Sequence, residues 1–369
     1  MAKQKLEASV DTTPEDKKEK GKMKGKVKFS LEDYKHAKGH DKIASYKPLE
    51  WIPFSSPALQ DLLGIPGVPC GHITLLRGGS NTSKTTCMLE LAVNAQKMNK
   101  LPVFIISEMK WSWEHAKMMG LEFEEEFDAD GNMNPVGNFY YIDRTQLKSI
   151  EDVAKFINEL LSDQENGKLP TDLVFLWDSV GSIPCQMSID KEKNNNEWNA
   201  GAYSVQFGGH VNQRLIASRK SSHPFTNTMV CVNKTWIRKA DNPMAQPTMK
   251  NKGGETMFFD SSIILTFGNV ATTGVNFIKA EKNKKEITFA SRVNVKVEKN
   301  HVNGVSSSGK IIVTPFGYIE DSKPAIDDFK KENMDYFFSQ LGAESGEITT
   351  YIDETEENNE GYSSEPAEE

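Results

Sequence analysis

Four short apolar runs punctuate the middle of the chain: "HITLLRG" (72–78), "LPVFIIS" (101–107), "DLVFLWD" (172–178) and "NTMVCVN" (227–233). Each is apolar at consecutive rather than alternate positions, which predicts strands covered on both faces. Between them, "TTCMLELAVNAQKM" (85–98), "WSWEHAKMMG" (111–120) and "IEDVAKFINELLS" (150–162) carry apolar residues at helical spacing. Strands alternating with helices predict an α/β fold, a mostly parallel twisted sheet with helices on both faces. Two long connections, 184–209 and 235–254, show neither period and are expected to be irregular loops. No internal repeat of 20 to 50 residues is visible.

Composition narrows this picture. The 369 residues suffice for one large domain with appendages or two smaller ones. No apolar run reaches the roughly 18 residues needed to cross a bilayer, and the first residues are polar and lysine-rich. A soluble, cytoplasmic protein with no membrane partner is expected. Cys70, Cys87, Cys185 and Cys231 lack metal-site spacing and read as reduced thiols packed as small hydrophobes.

The net charge of −8 conceals a polarity along the chain. Residues 344–369 hold ten acids and no Lys or Arg, so the chain before them carries a net +2. Residues 1–48 hold thirteen lysines against eight acids. Both ends are poor in large apolar groups and read as mobile. The expected plan is a basic, partly disordered arm (1–48), a folded core (49–320), a helical extension (321–343) and a disordered acidic tail (344–369).

The chemistry begins at "LLRGGSNTSKTT" (75–86), which nearly matches G-x-x-x-x-G-K-[ST] with Ser83 in place of the last glycine. A strand ending in a Gly-rich turn that opens a helix aims backbone N–H groups and the helix dipole at one spot. Gly78, Gly79, Ser80, Asn81, Thr82 and Ser83 would form the cradle, followed by Lys84, Thr85 and Thr86. Lys84 would reach the β and γ phosphates of ATP, and the Thr85 hydroxyl would ligate Mg²⁺. Asp178, at the end of "LVFLWD", can hold the magnesium through water, and it can equally cap a turn. Glu108, after "VFIIS", can orient or deprotonate the water that attacks the γ-phosphate. Three strand ends would thus put Lys, Asp and Glu around one crevice, where open α/β sheets bind ligands.

From about Leu49 to Gly317 the sequence resembles the RecA strand-exchange recombinases, in particular their phage, UvsX-like, version. The resemblance is carried by "IPFSSPALQDLLGIPGVPCGHITLLRGGSNTSKTT", "FIISEMKWSWEHAKMMG", "LVFLWDSVGSIP", "VCVNK", "KGGETMFFDSSIIL" and "NVKVEKNHVNG", in that order. It implies a RecA-like P-loop NTPase core and a DNA-dependent ATPase. It also implies assembly of the chain with itself into helical filaments on single-stranded DNA, and exchange of strands with homologous duplex DNA in repair and recombination. Single-strand-binding and mediator proteins are the accessory partners it suggests.

By the same resemblance Lys84 and Glu108 are catalytic, together with Lys299, which would reach the neighbouring subunit's ATP. Three positions depart from the pattern: Ser83, Lys234 in place of the bacterial glutamine at the γ-phosphate, and His301 in place of a second lysine across the interface. His115 matches a position that places an aromatic against adenine, and it equally reads as a surface histidine. In the second long connection Trp236, Arg238, Lys239, Lys250 and Lys252 mix cations with an aromatic, which suits single-strand binding. The resemblance adds Gly253 and Gly254 at the close of that segment. Arg214 and Arg219, on the helical stretch before "NTMVCVN", either contact phosphates or belong to a solvated helix face. A DnaB-type hexameric helicase motor and a non-hydrolysing DNA-binding scaffold are the alternatives left open.

Overall fold

The computed structural model describes residues 29–40, 45–108, 110–238, 248–269 and 274–353. Two compact units are present, residues 1–44 and 45–369. In the first, the helix Leu31–Ala37 is N-capped by Ser30, whose hydroxyl accepts from the Asp33 N–H at 3.2 Å.

The second unit is built on a twelve-stranded sheet. Numbered in chain order, its strands are β1 (Ile73–Gly78), β2 (Leu101–Ile106), β3 (Tyr140–Asp143), β4 (Leu173–Val180), β5 (Thr228–Arg238) and β6 (Thr248–Asn251). Next come β7 (Ile263–Phe267), β8 (Val275–Lys282), β9 (Lys285–Asn300), β10 (Ser308–Thr314), β11 (Gly317–Ile319) and β12 (Thr349–Asp353). Six of them, in the order β7-β1-β5-β4-β2-β3, are parallel. The remainder is an antiparallel extension in which β9 pairs with β7 and β10, and β8 lies between β9 and β12.

Every residue of β1, β4 and β7 is buried, as consecutive apolar runs require. Alternate side chains feed two cores. Leu76, Phe104, Leu176 and Val230 pack with Cys87, Met88 and Leu91 of helix α1 (Lys84–Lys97). Ile73, Ile105, Phe175 and Trp177 pack on the opposite face with Ile157 and Leu161 of helix α2 (Ile150–Glu165). Helices Lys323–Glu332 and Met334–Leu341 bury Phe329 and Phe337 over the antiparallel part. All four cysteines are free and buried.

Three expectations are corrected. The connection 184–209 is helical: Gln186–Asp190 and Asn196–Tyr203, then a π-helical turn Ser204–Val211 leading into Asn212–Ala217. Its apolar positions Tyr203, Phe207 and Val211 do fall four apart and are all buried, but two glycines between the last two dilute the pattern. The connection 235–254 begins and ends as a hairpin, with β6 antiparallel to the end of β5. The acidic tail starts with β12, five residues paired to β8, while residues 354–369 lie outside the described part.

A buried acid fixes the approach to β1. Glu90, only 5 % exposed, accepts from the Ser55 N–H at 2.7 Å, and its other oxygen has no partner. Burial pushes its pKa up from 4.5 to about 7 despite the bonds from Ser55 and Ser56. The folded protein therefore holds a proton that the unfolded chain has released, so stability declines as pH rises from 4.5 to 7. Glu90→Gln keeps the acceptor without the charge. At pH 8 it should stabilise by up to about 3 kcal/mol, and by little at pH 5, in denaturant unfolding followed at both values.

Candidate nucleotide site

The carboxyl ends of β1, β5, β4 and β2 lie side by side, and the sheet register brings the candidate residues together. Gly78 pairs with Lys234, and Asp178 pairs with Ile106, two residues before Glu108. The phosphate loop follows β1. Gly78 is held at φ 150°, and a Cβ there would strike the Phe267 carbonyl at 2.1 Å. Thr82 Oγ1 donates to the Gly79 carbonyl at 3.0 Å, which closes the turn, while Ser80 and Asn81 stand exposed at its tip.

Ser83 caps α1 at φ 66° and ψ 22°. This is the left-handed region glycine enters freely, and a residue with a Cβ pays roughly 1–2 kcal/mol there. The serine therefore keeps the backbone shape of the missing glycine at an energetic cost.

Lys84 is 6 % exposed, and its Nζ donates to the Gly79 carbonyl and to Thr82 Oγ1 at 3.1 Å. Burial lowers its pKa to about 8, with Asp178 and Glu108 opposing and Lys234 reinforcing the shift. A buried ammonium whose partners are neutral oxygens is poised for an anion. Thr85 Oγ1 donates to Asp178 Oδ2 at 2.6 Å. Asp178 is 8 % exposed, and burial raises its pKa against the pull of Thr85 and the nearby lysines. A hydroxyl and one carboxylate suit Mg²⁺, which keeps waters and takes further ligands from phosphates. Among the described residues no cluster of three or more His, Cys, Asp or Glu offers an all-protein metal site. Thr86 is buried within the first turn of α1.

Glu108 has both carboxylate oxygens occupied. Ser179 Oγ and Ser182 Oγ, the latter at 2.9 Å, donate to Oε1, and Lys234 Nζ lies 2.8 Å from Oε2. Burial favours its neutral form, but Lys234 and the two serines outweigh this and hold its pKa below the usual value. Sequence reasoning misses both serines, although "DSVGS" spaces them three apart, Ser179 near the end of β4 and Ser182 just after it. His115, in the helix Trp113–Met118, is half-buried, and burial lowers its pKa.

Other candidates lie elsewhere. Lys299 Nζ donates to the Phe259 carbonyl at 2.7 Å, capping the helix Thr256–Asp260. It pairs with Ile264, level with Leu75, and exposed His301 lies two residues further from Gly78. Neither joins Lys84 within one chain. Arg214 is engaged by Asn158, Ser162 and Glu165 of α2. Arg219 sits over the Tyr46 ring at 5.3 Å, beside Gly71 at the amino end of β1.

In the β5–β6 hairpin the backbones of Trp236 and Arg238 pair with Lys250 and Thr248, and Lys250 is exposed. Lys239 lies outside the described residues. The Lys252 N–H donates to the Lys234 carbonyl at 3.1 Å, so the hairpin stem is tied to the nucleotide edge. Gly253 and Gly254, at φ 81° and 91°, are needed for close packing. A Cβ on the first would meet the Tyr203 ring at 2.7 Å, and on the second Ala200 at 2.8 Å.

Part of the chain is similar to known proteins. A family model described as the RecA N-terminal domain matches residues 35–130, the span holding the phosphate loop and Glu108. The fold is RecA-like. Over 278 residues the chain is 24 % identical to Protein RecA of Fusobacterium nucleatum subsp. nucleatum, covering 72 % of this chain and 63 % of that protein. Protein RecA of Nitratidesulfovibrio vulgaris is 23 % identical over 278 residues, 71 % of this chain and 66 % of the relative. Protein RecA of Streptomyces rimosus is 37 % identical over 78 residues, 21 % of each chain. The chain thus spans at most 66 % of the length of these curated relatives. No described helix is long and apolar enough to cross a membrane.

Proposed function

We propose that this chain is a RecA-family, ATP-dependent recombination protein. The observation that carries the reading is the convergence of Lys84, Thr85, Asp178, Glu108 and Lys234 on one sheet edge. The phosphate-loop N–H groups and Lys84 bind and orient the triphosphate. Thr85 and Asp178 would hold Mg²⁺, which supplies charge neutralisation on the phosphates. Glu108 takes the proton of the attacking water. A phage-type, UvsX-like branch acting in the host cytoplasm is the finer reading that the motif resemblance supports.

Lys299 and His301 lie at and beyond the level of Leu75, along the sheet from Gly78, which suits service to the ATP of the next subunit. Such a head-to-tail contact does not close and generates a helical filament, with residues 1–48 docking on the neighbour. In this reading the filament pairs single-stranded with homologous duplex DNA, served by single-strand-binding and mediator proteins. Electron microscopy with ATP and single-stranded DNA tests it. Extended helical filaments are expected; six-fold rings would point to a helicase motor, and no DNA-stimulated ATP hydrolysis would point to a scaffold.

The tied hairpin stem supports a DNA contact by Trp236, Arg238, Lys239, Lys250 and Lys252, in a segment closed by Gly253 and Gly254. Replacing Arg238, Lys239, Lys250 and Lys252 by Ala should weaken single-strand binding and lower the log–log salt slope by roughly 0.7 for each phosphate no longer neutralised. A titration series from low to high salt reads this directly, and an unchanged slope refutes the proposed interface. Arg214 and Arg219 already have partners within the chain, so their Ala variants should leave the slope near its original value.

A further inference from the structure

The nucleotide edge contains an ion pair that the proposed chemistry leaves without a task. Glu108, the candidate base, has no free oxygen: two hydroxyls fill Oε1, and Lys234 faces Oε2 at 2.8 Å. A carboxylate held by two hydroxyls and an ammonium is a weaker base than one whose counter-ion has left, because these partners stabilise its charged form. Ser179 is fully buried in β4, and the Ser182 hydroxyl lies 2.6 Å from that of Ser179, so both are held by the frame. Lys234 differs. Its side chain is 34 % exposed, it is long and unbranched, and it stands next to Gly78, where the phosphate loop begins.

We infer that Lys234 is a counter-ion shared between Glu108 and the terminal phosphate of a nucleoside triphosphate, engaging the carboxylate until that phosphate arrives. The inference rests on the nucleotide-site reading above. A γ-phosphate brings more negative charge than one carboxylate, and it would lie within reach of a lysine anchored beside the phosphate loop. Withdrawal of Nζ frees Oε2 for the attacking water while the serines keep Oε1 in place. A diphosphate lacks the competing charge and leaves the pair closed. The base is thereby exposed only when its substrate is bound.

The test is a double-mutant cycle on Lys234→Ala and Glu108→Gln, read by thermal unfolding of the full chain in three states. These are nucleotide-free, with ADP and Mg²⁺, and with a non-hydrolysable ATP analogue and Mg²⁺. Without nucleotide, Lys234→Ala strands a half-buried carboxylate and should lower the midpoint by a few degrees, and adding Glu108→Gln should recover most of that decrease. This coupling should persist with ADP and vanish with the triphosphate analogue. Lys234→Ala should also lose at least tenfold in affinity for the analogue and less than twofold for ADP.

Coupling of equal size in all three states would overturn the inference, as would its absence in the nucleotide-free protein. Failure of the unsubstituted chain to bind either nucleotide would instead sink the nucleotide-site reading itself. Lys234→Arg serves as a folding control. It keeps the charge and should retain both the coupling and its disappearance on triphosphate binding.

Discussion

Lys84→Ala is expected to lose at least about 100-fold in affinity for a nucleoside triphosphate, since removing one partner of a buried charge pair costs about 3–5 kcal/mol. The ammonium is almost wholly buried and donates only to the Gly79 carbonyl and the Thr82 hydroxyl. Neither bond satisfies a full positive charge, so the fold holds it in readiness for an anion. Alanine leaves the loop N–H groups but removes the cation they surround. ATP-dependent assembly on single-stranded DNA should disappear with it. The chain should stay folded, because the loop is closed by Thr82 and Gly79 rather than by the lysine alone. Calorimetric titration with ATP, with circular dichroism as a folding control, decides the matter; unchanged affinity would remove Lys84 from the site.

The second large effect is expected at Arg77, a residue that sequence reading passed over. It precedes Gly78 in β1, where its guanidinium pairs with Glu298 of β9 and donates to Thr266 of β7 and Asn251 of β6, both at 3.1 Å. Thr266 donates in turn to Glu298 at 2.6 Å, and Asn251 to Glu255 at 2.8 Å. Arg77 also lies 5.0 Å from the Phe258 ring centre. One buried cation thus ties the phosphate-loop strand to the hairpin stem and the antiparallel extension. Arg77→Ala should destabilise by about 3 kcal/mol, the lower end for a broken buried pair because Glu298 is 27 % exposed. Arg77→Met with Glu298→Leu should lose much less, since no charge is stranded. Denaturant midpoints of the two variants separate these outcomes. Single-strand binding by Arg77→Ala should weaken as well, through loss of the Asn251 anchor.

The parallel sheet could be read from sequence because its strands are buried on both faces, and consecutive apolar runs report that burial residue by residue. The phosphate loop could be read because backbone geometry restricts which residues open such a turn. Ser83 shows where that reading was incomplete: a serine in the left-handed region fills the role of the glycine. The helices after β4 escaped because Gly208 and Gly209 interrupt a spacing of four that nevertheless packs on Trp177, whose ring lies tilted 5.0 Å from that of Phe207. The pairing of Glu108 with Lys234 escaped for another reason. The two residues are 126 positions apart, and only the parallel register of β2, β4, β5 and β1 brings them together. Arg77 was hidden in the same way, since a lone arginine in an apolar run gives no hint of the partners supplied by three other strands.

Strand β12 changes how the acidic end of this chain can be shortened. It seals the outer side of β8, and Lys279 fastens it by bridging Asp353 at 2.8 Å and Glu286 at 3.2 Å. A truncation placed at residue 344 would strip that strand away and bare a row of backbone donors and acceptors, an invitation to edge-to-edge aggregation. Any altered DNA affinity would then mix the missing charge with a damaged scaffold. Stopping after Asp353 instead removes seven acids, from Glu354 to Glu369, and keeps the seal intact. The boundary between scaffold and polyanion therefore lies within the acidic run itself, and charge composition along the chain gives no sign of it.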